Sequence, residues 1–147
     1  MGSTYVSLHY HIVFSTKDRQ PLMTKRWCAT MHRYLGGTIE GLNGTPRCIG
    51  GVSDHIHLLV SLTATHDIAA FVRELKKATS VWAARKYCRE FAWQEGYAAF
   101  TVSASLREKV RRYIDSQEEH HAKELFIDEL KRLLKKHEVE YDPKYLD

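Results

Sequence analysis

The stretch Asp54-His55-Ile56-His57-Leu58-Leu59-Val60-Ser61-Leu62 decides how this chain folds. From His55 onward it alternates. Ile56, Leu58, Val60 and Leu62 project to one side of an extended backbone, and His55 and His57 to the other. The aliphatic side of such a strand must be covered, so the pattern predicts a sheet with helices on that face and an open face carrying the histidines. A second alternating run, Val6 to Phe14, places Val6, Leu8, Tyr10, Ile12 and Phe14 on one side and Ser7, His9, His11 and Val13 on the other. Two adjacent central strands are expected, with up to four histidines on the open face.

Outward from this pair, Trp27, Met31, Tyr34 and Leu35 recur at helical spacing, which predicts a helix over Thr24 to Leu35 stopped by Gly36-Gly37. Asn43-Gly44 and Gly50-Gly51 bracket a short strand, Thr45 to Ile49. A helix opens at Asp67, a suitable N-cap, with Ile68, Phe71, Val72, Leu75, Ala78 and Trp82 in one stripe. A fourth strand fits Tyr97 to Val102. The order βαββαβ predicts an α+β, ferredoxin-like (RRM-like) sandwich with an antiparallel sheet. Two C-terminal helices follow. One opens on a capping box, Ser105 to Glu108, and runs through Gln117; the other covers Ala122 to Lys136. The tail, Glu138 to Asp147, is expected to be an extended strap.

With 147 residues and 44% hydrophobic content the chain can fill one ordinary core. A single domain over 1–147 is expected, with a core at about 5–121 and a C-terminal helix and tail at 122–147. The apolar run from Ile56 to Leu62 is far short of the roughly 20 residues that span a bilayer, and no signal pattern opens the chain. A cytoplasmic protein without membrane contact is expected. Cys28, Cys48 and Cys88 are odd in number and widely spaced, which argues against a disulfide framework or a zinc knuckle. A net charge of +4 and a pI near 9.0 favour a polyanionic partner.

Several groups offer chemistry. On a strand, His55 and His57 stand roughly 6 to 7 Å apart at Cα, close enough for both imidazoles to reach one ion. The alternative is two ordinary polar residues on a solvent face. His9 and His11 are either a rival metal pair or groups that orient the first. Tyr113 and Gln117 are four residues apart and share a helical face, where a phenol nucleophile and a carboxamide ligand would serve one ion. Alternatively, Tyr113 packs with Val110 and Ile114. Arg73, Lys76, Lys77, Arg85 and Lys86 on the second long helix, with Lys17 and Arg19 after the first strand, are candidates for tracking a nucleic-acid backbone. Among the aromatics, Trp93 and Tyr97 are candidates for base stacking, whereas Trp82 suits the core.

Taken together, Tyr10-His11-Ile12-Val13-Phe14-Ser15-Thr16-Lys17-Asp18-Arg19, Asp54 to Leu59, Trp93-Gln94-Glu95-Gly96-Tyr97 and Tyr113-Ile114-Asp115-Ser116-Gln117 resemble the ordered motifs of the HUH single-tyrosine insertion-sequence transposases and their REP-associated relatives. The resemblance spans Tyr10 to His121. It implies that His55 and His57 are metal ligands, Gln117 is the third protein ligand and Tyr113 is the nucleophile. His121 is a rival for the third position, four residues past Gln117. It further implies Mg2+ or Mn2+ as cofactor, a homodimer, and cleavage and rejoining of hairpin-bearing single-stranded DNA ends through a 5′-phosphotyrosine, in the nucleoid-associated cytosol. DNA-binding roles fall to Lys17, Arg19, Arg73, Lys76 and Lys77. Two other readings are a non-catalytic RRM-like nucleic-acid binder and a metal-dependent phosphoesterase using water.

Overall fold

The structure, a computed structural model, describes residues 2–146. Four strands, β1 (Leu8–Ser15), β2 (Thr45–Val52), β3 (His55–Leu62) and β4 (Ala98–Val102), form one sheet in the order β2-β3-β1-β4. Every neighbouring pair is antiparallel, as the βαββαβ reading requires. Val13 pairs with His57 and Ser15 with His55, so the two histidine-bearing strands are central and in contact.

Helices α1 (Cys28–Gly41) and α2 (Ile68–Lys86) cover the face opposite the histidines. There Ile12, Phe14, Ile56, Leu58 and Val60 meet Met31, Leu35, Ile39, Phe71, Val72 and Leu75 in the main core. Asp67 caps α2 by accepting from the Ala70 amide, as its position predicts. By contrast, α1 starts later than expected and does not stop at Gly36-Gly37. The stripe Met31, Leu35, Ile39 continues through the glycines. Burying Ile39 is worth about 1.5–3 kcal/mol, which offsets the cost of about 2 kcal/mol for the two glycines in the helix interior.

Gly50 and Gly51 lie inside β2 rather than beyond its end. At Gly50 an added Cβ would collide with the Ile114 carbonyl oxygen, so the missing side chain is what lets the next helix press onto the sheet. That helix, α3 (Arg107–Asp115), follows a 3-10 turn at Ala104–Leu106, and no side-chain cap forms at the expected capping box. It ends at Ser116, and Gln117 opens a separate short helix, α4 (Gln117–His121). Tyr113 and Gln117 therefore do not share one continuous helix. The last helix, α5, spans Phe126–Lys136 and begins four residues later than the sequence pattern suggests.

The largest departure concerns the histidine face. It is covered, not open. Helices α3 to α5 lie on it, with Ile114 against Leu59 and Val102, and with Phe126, Leu133 and Leu134 against Val13 and Phe100. His55 and His57 are both 0% exposed. The two amphipathic C-terminal helices need an apolar surface, and the side chains between the histidines on this face supply it. The tail is not a simple strap either: Pro143–Tyr145 form a 3-10 turn and Leu146 joins the α5 cluster, while Asp147 lies outside the described residues. No helix among the described residues is long and apolar enough to cross a membrane.

Candidate active site

Strand β3 supplies two imidazoles whose orientation is set from behind. His55 Nδ1 is 2.7 Å from Asp54 Oδ1, and His57 Nδ1 is 2.7 Å from His11 Nε2 on β1. Each ring therefore directs Nε2 away from the sheet, into the space beneath α4 and α5. Four residues meet there: His55, His57, His121 from α4 and Glu129 from α5, with donor atoms all within 4.8 Å of one another.

Glu129 is the hub. Its Oε1 lies 2.9 Å from His121 Nε2, 3.0 Å from His57 Nε2 and 3.5 Å from His55 Nε2. Its Oε2 accepts from Gln117 Nε2 at 3.1 Å and from the Tyr113 hydroxyl. Gln117 turns its own Oε1 to His55 Nε2 at 3.0 Å. Arg132 Nη2 reaches the Tyr113 hydroxyl at 3.0 Å from the other side. One carboxylate thus touches His55, His57, His121, Gln117 and Tyr113.

Electrostatics follow from this packing. Burial acts against charge on His57 and brings its pKa to about 4; burial and the neighbouring His57 take His11 to about 3. At His55 burial has the same effect, but hydrogen bonds to Asp54 and Glu129 outweigh it and raise the value to about 9. Burial would protonate Glu129, yet hydrogen bonds from His121, His55 and His57 hold it ionised, far below the usual carboxylate range. Burial and the Glu129 carboxylate push the Tyr113 phenol well above its ordinary value. The donor set of imidazole nitrogens, carboxylate and amide oxygen suits a divalent ion such as Mn2+ or Zn2+, and the oxygens suit Mg2+.

The structure brings His55, His57, Gln117 and Tyr113 together despite the break at Ser116. The rival ligand His121 is also in the cluster. His11 stands behind His57, whereas His9 bonds to Ser7 and Ser61 away from the centre. Glu129 escaped the sequence reading, although a signal existed: it falls at helical spacing between the apolar Phe126 and Leu133, where an acid has no business unless partnered.

The basic residues are placed differently. Arg73 and Lys77 are exposed on α2, across the sheet from the cluster, with Arg73 3.6 Å from Glu74. Lys76 directs its ammonium to the carbonyls of Gln94 and Gly96 at 2.6 and 2.7 Å. Lys17 is exposed, and Arg19 holds the Leu146 carbonyl at 3.2 Å. Trp82 stacks on Tyr34, Trp93 is buried and donates to Thr79, and Tyr97 is exposed. A groove lined by Lys25, Cys28, His32, Ser53, Glu118 and His121 reaches the cluster at His121.

A paired-histidine strand faced by a tyrosine helix is the arrangement that the sequence motifs implied, and comparison with known proteins gives the family. The model of the family described as "Transposase IS200 like" matches residues 4–117. The chain belongs to the IS200-like transposase family. Family membership places it among DNA-processing enzymes. The ISDra2 transposase TnpA of Deinococcus radiodurans is 28% identical, over 79% of this chain and 89% of that protein. A crystal structure of a Deinococcus radiodurans transposase superposes with a TM-score of 0.65 at 25% identity, covering 80% of this chain and 96% of the other. A REP-associated tyrosine transposase solved with a REP hairpin shares the fold, with a TM-score of 0.54 at 16% identity, over 80% of this chain and 68% of that one.

Proposed function

We propose that this transposase-family protein cuts and rejoins single-stranded DNA, with Tyr113 as nucleophile and a divalent ion, Mg2+ or Mn2+, held by His55, His57 and Gln117. The observation that carries this reading is the convergence of the Tyr113 hydroxyl, Gln117 and both β3 imidazoles on the single carboxylate of Glu129. When bound, the ion polarises the scissile phosphodiester and offsets charge on its oxygens.

Tyr113 Oη attacks phosphorus in line with the departing oxygen. The Oη–P bond forms and the P–O3′ bond breaks, leaving a 5′-phosphotyrosine and a free 3′-OH. A second 3′-OH then attacks the same phosphorus, releases Tyr113 and joins a new strand. Bond energy is conserved in the tyrosyl ester, so rejoining needs no nucleotide cofactor. Arg132, beside the hydroxyl, balances negative charge as the phenol proton leaves. Tyr113 lies beside His57 of the same chain, with ring centroids 5.8 Å apart.

The substrate in this reading is a hairpin-bearing element end, by analogy with the relative solved on a REP hairpin. Exposed Lys17 and Lys77 and the solvent side of Arg19 and Arg73 contact its phosphates. A homodimer in the nucleoid-associated cytosol completes the proposal, with residues 1–147 acting as one domain. The test is incubation with labelled single-stranded DNA carrying candidate element ends, with and without divalent metal. A metal-dependent covalent adduct on a denaturing gel is expected. Cleavage without adduct would point to the phosphoesterase, and binding without cleavage to the RRM-like binder.

A further inference from the structure

The site holds one more anionic group than the proposed function uses. Glu129 comes from α5, beyond residues 4–117 that the family model matches, and its carboxyl group is fully buried. A buried carboxylate is expensive unless it is paired, hydrogen-bonded or bound to metal. A helix whose only task was to cover the sheet would place an aliphatic residue there, as α5 does at Leu133 and Leu134.

We propose that Glu129 is part of the reaction centre: its Oε1 is a ligand of the divalent ion beside His55 and His57, and its Oε2 holds the Tyr113 hydroxyl. Helix α5 thereby couples metal binding to the placement of the nucleophile. This inference rests on the metal-and-tyrosine reading above.

Ligand spacing supports it. Ligands about 2.1 Å from an ion lie roughly 3.0 Å apart when adjacent in an octahedron and roughly 3.4 Å apart in a tetrahedron. The separations of Glu129 Oε1 from His121, His57 and His55 are 2.9, 3.0 and 3.5 Å, and His55 Nε2 is 3.0 Å from Gln117 Oε1. Direction supports it as well. Asp54 and His11 engage the Nδ1 atoms, so both Nε2 atoms face the same oxygen. Among the described residues that oxygen has imidazole partners alone, while its twin serves Gln117 and Tyr113. The two carboxylate oxygens are divided between metal site and nucleophile.

The consequence for the reaction is positional. With Oε1 serving the ion, Oε2 would hold the Tyr113 phenol through the same carboxylate. Loss of the carboxylate should therefore weaken metal binding and loosen α5 together, a pairing that mere packing would not produce.

The experiment is Mn2+ titration of the full chain by calorimetry, with free Mn2+ followed by electron paramagnetic resonance, on the wild type, Glu129→Gln and His57→Ala. Hydrogen exchange over residues 126–136 is measured with and without Mn2+. Glu129→Gln, which preserves side-chain size, should weaken Mn2+ binding at least about tenfold. Mn2+ should slow exchange in α5 of the wild type and leave it unchanged in the variant. The exchange comparison on the wild type needs no variant, so poor folding of Glu129→Gln leaves a decisive arm. Mn2+ affinity in Glu129→Gln equal to or tighter than wild type, or α5 exchange in the wild type indifferent to Mn2+, overturns the inference while the His57→Ala loss upholds the metal reading. A wild type that binds no Mn2+, or a His57→Ala protein that binds it equally, overturns both.

Discussion

His11 Nε2 lies 2.7 Å from His57 Nδ1, so a histidine on β1 sets the direction of a histidine on β3. The contact is buried and crosses the centre of the sheet. Were Nε2 to hold a metal, His57 would donate its Nδ1 proton to His11, which would fix both tautomer and ring plane. His11→Ala should weaken divalent-metal binding by about 10- to 100-fold, with DNA cleavage recovered at high metal concentration. Equal affinity in metal titrations of the two proteins would remove the orienting role.

Burial changes what is expected of the ligand variants. On an open face, His55→Ala and His57→Ala would leave the fold untouched, but both side chains are fully enclosed. Removing either should abolish cleavage and also lower stability by about 1–3 kcal/mol, because a buried partner such as Glu129 or His11 loses a hydrogen bond. Thermal melts beside cleavage assays separate the two effects. Gln117→Ala should be milder in cleavage than either, since water can take the vacated coordination position.

The fold could be read from the alternation of β1 and β3, because a period of two on adjacent strands leaves little choice of topology. The same reading put the histidines in solvent. What it lacked was the destination of α5, whose apolar stripe gives no clue to which surface it covers. Gly36-Gly37 misled for a related reason: a local stop signal was overridden by the burial of Ile39 one turn later. That His55, His57, Gln117 and Tyr113 lie together in space was legible from motif order, while the presence of Glu129 among them required knowing that α5 returns to the sheet.

The metal-free protein should be most stable near pH 6.5. Below that value His57 and His11, neutral in the fold with pKa values of about 4 and 3, take up protons more readily when unfolded, so stability falls with acidification. Glu129, held below its ordinary value, adds to that loss under acid conditions. Above pH 6.5 His55 works the other way: its folded pKa of about 9 makes its contribution disappear as pH rises through that value. Melting temperatures in a chelator across pH 4 to 10 should trace a maximum; a plateau through pH 9 would contradict the environment assigned to His55.

Salt dependence separates two neighbouring lysines. Lys77 is exposed, and Lys77→Gln should reduce the slope of log affinity against log salt for DNA by about 1. The Lys76 ammonium is already engaged by the Gln94 and Gly96 carbonyls. Lys76→Gln should lower the melting temperature and leave the slope close to wild type. Identical slopes for the wild type and Lys77→Gln would remove α2 from the DNA interface.

Peptide mapping of the protein–DNA adduct tests the central claim most directly. Wild-type protein incubated with single-stranded element ends and Mn2+ should carry DNA on Tyr113 alone. Tyr113→Phe, which removes only the attacking oxygen, should still fold, bind Mn2+ and bind DNA, yet form no adduct and make no cut. DNA attached to Tyr97, Tyr141 or any other tyrosine, or cleavage persisting in Tyr113→Phe, would contradict the account.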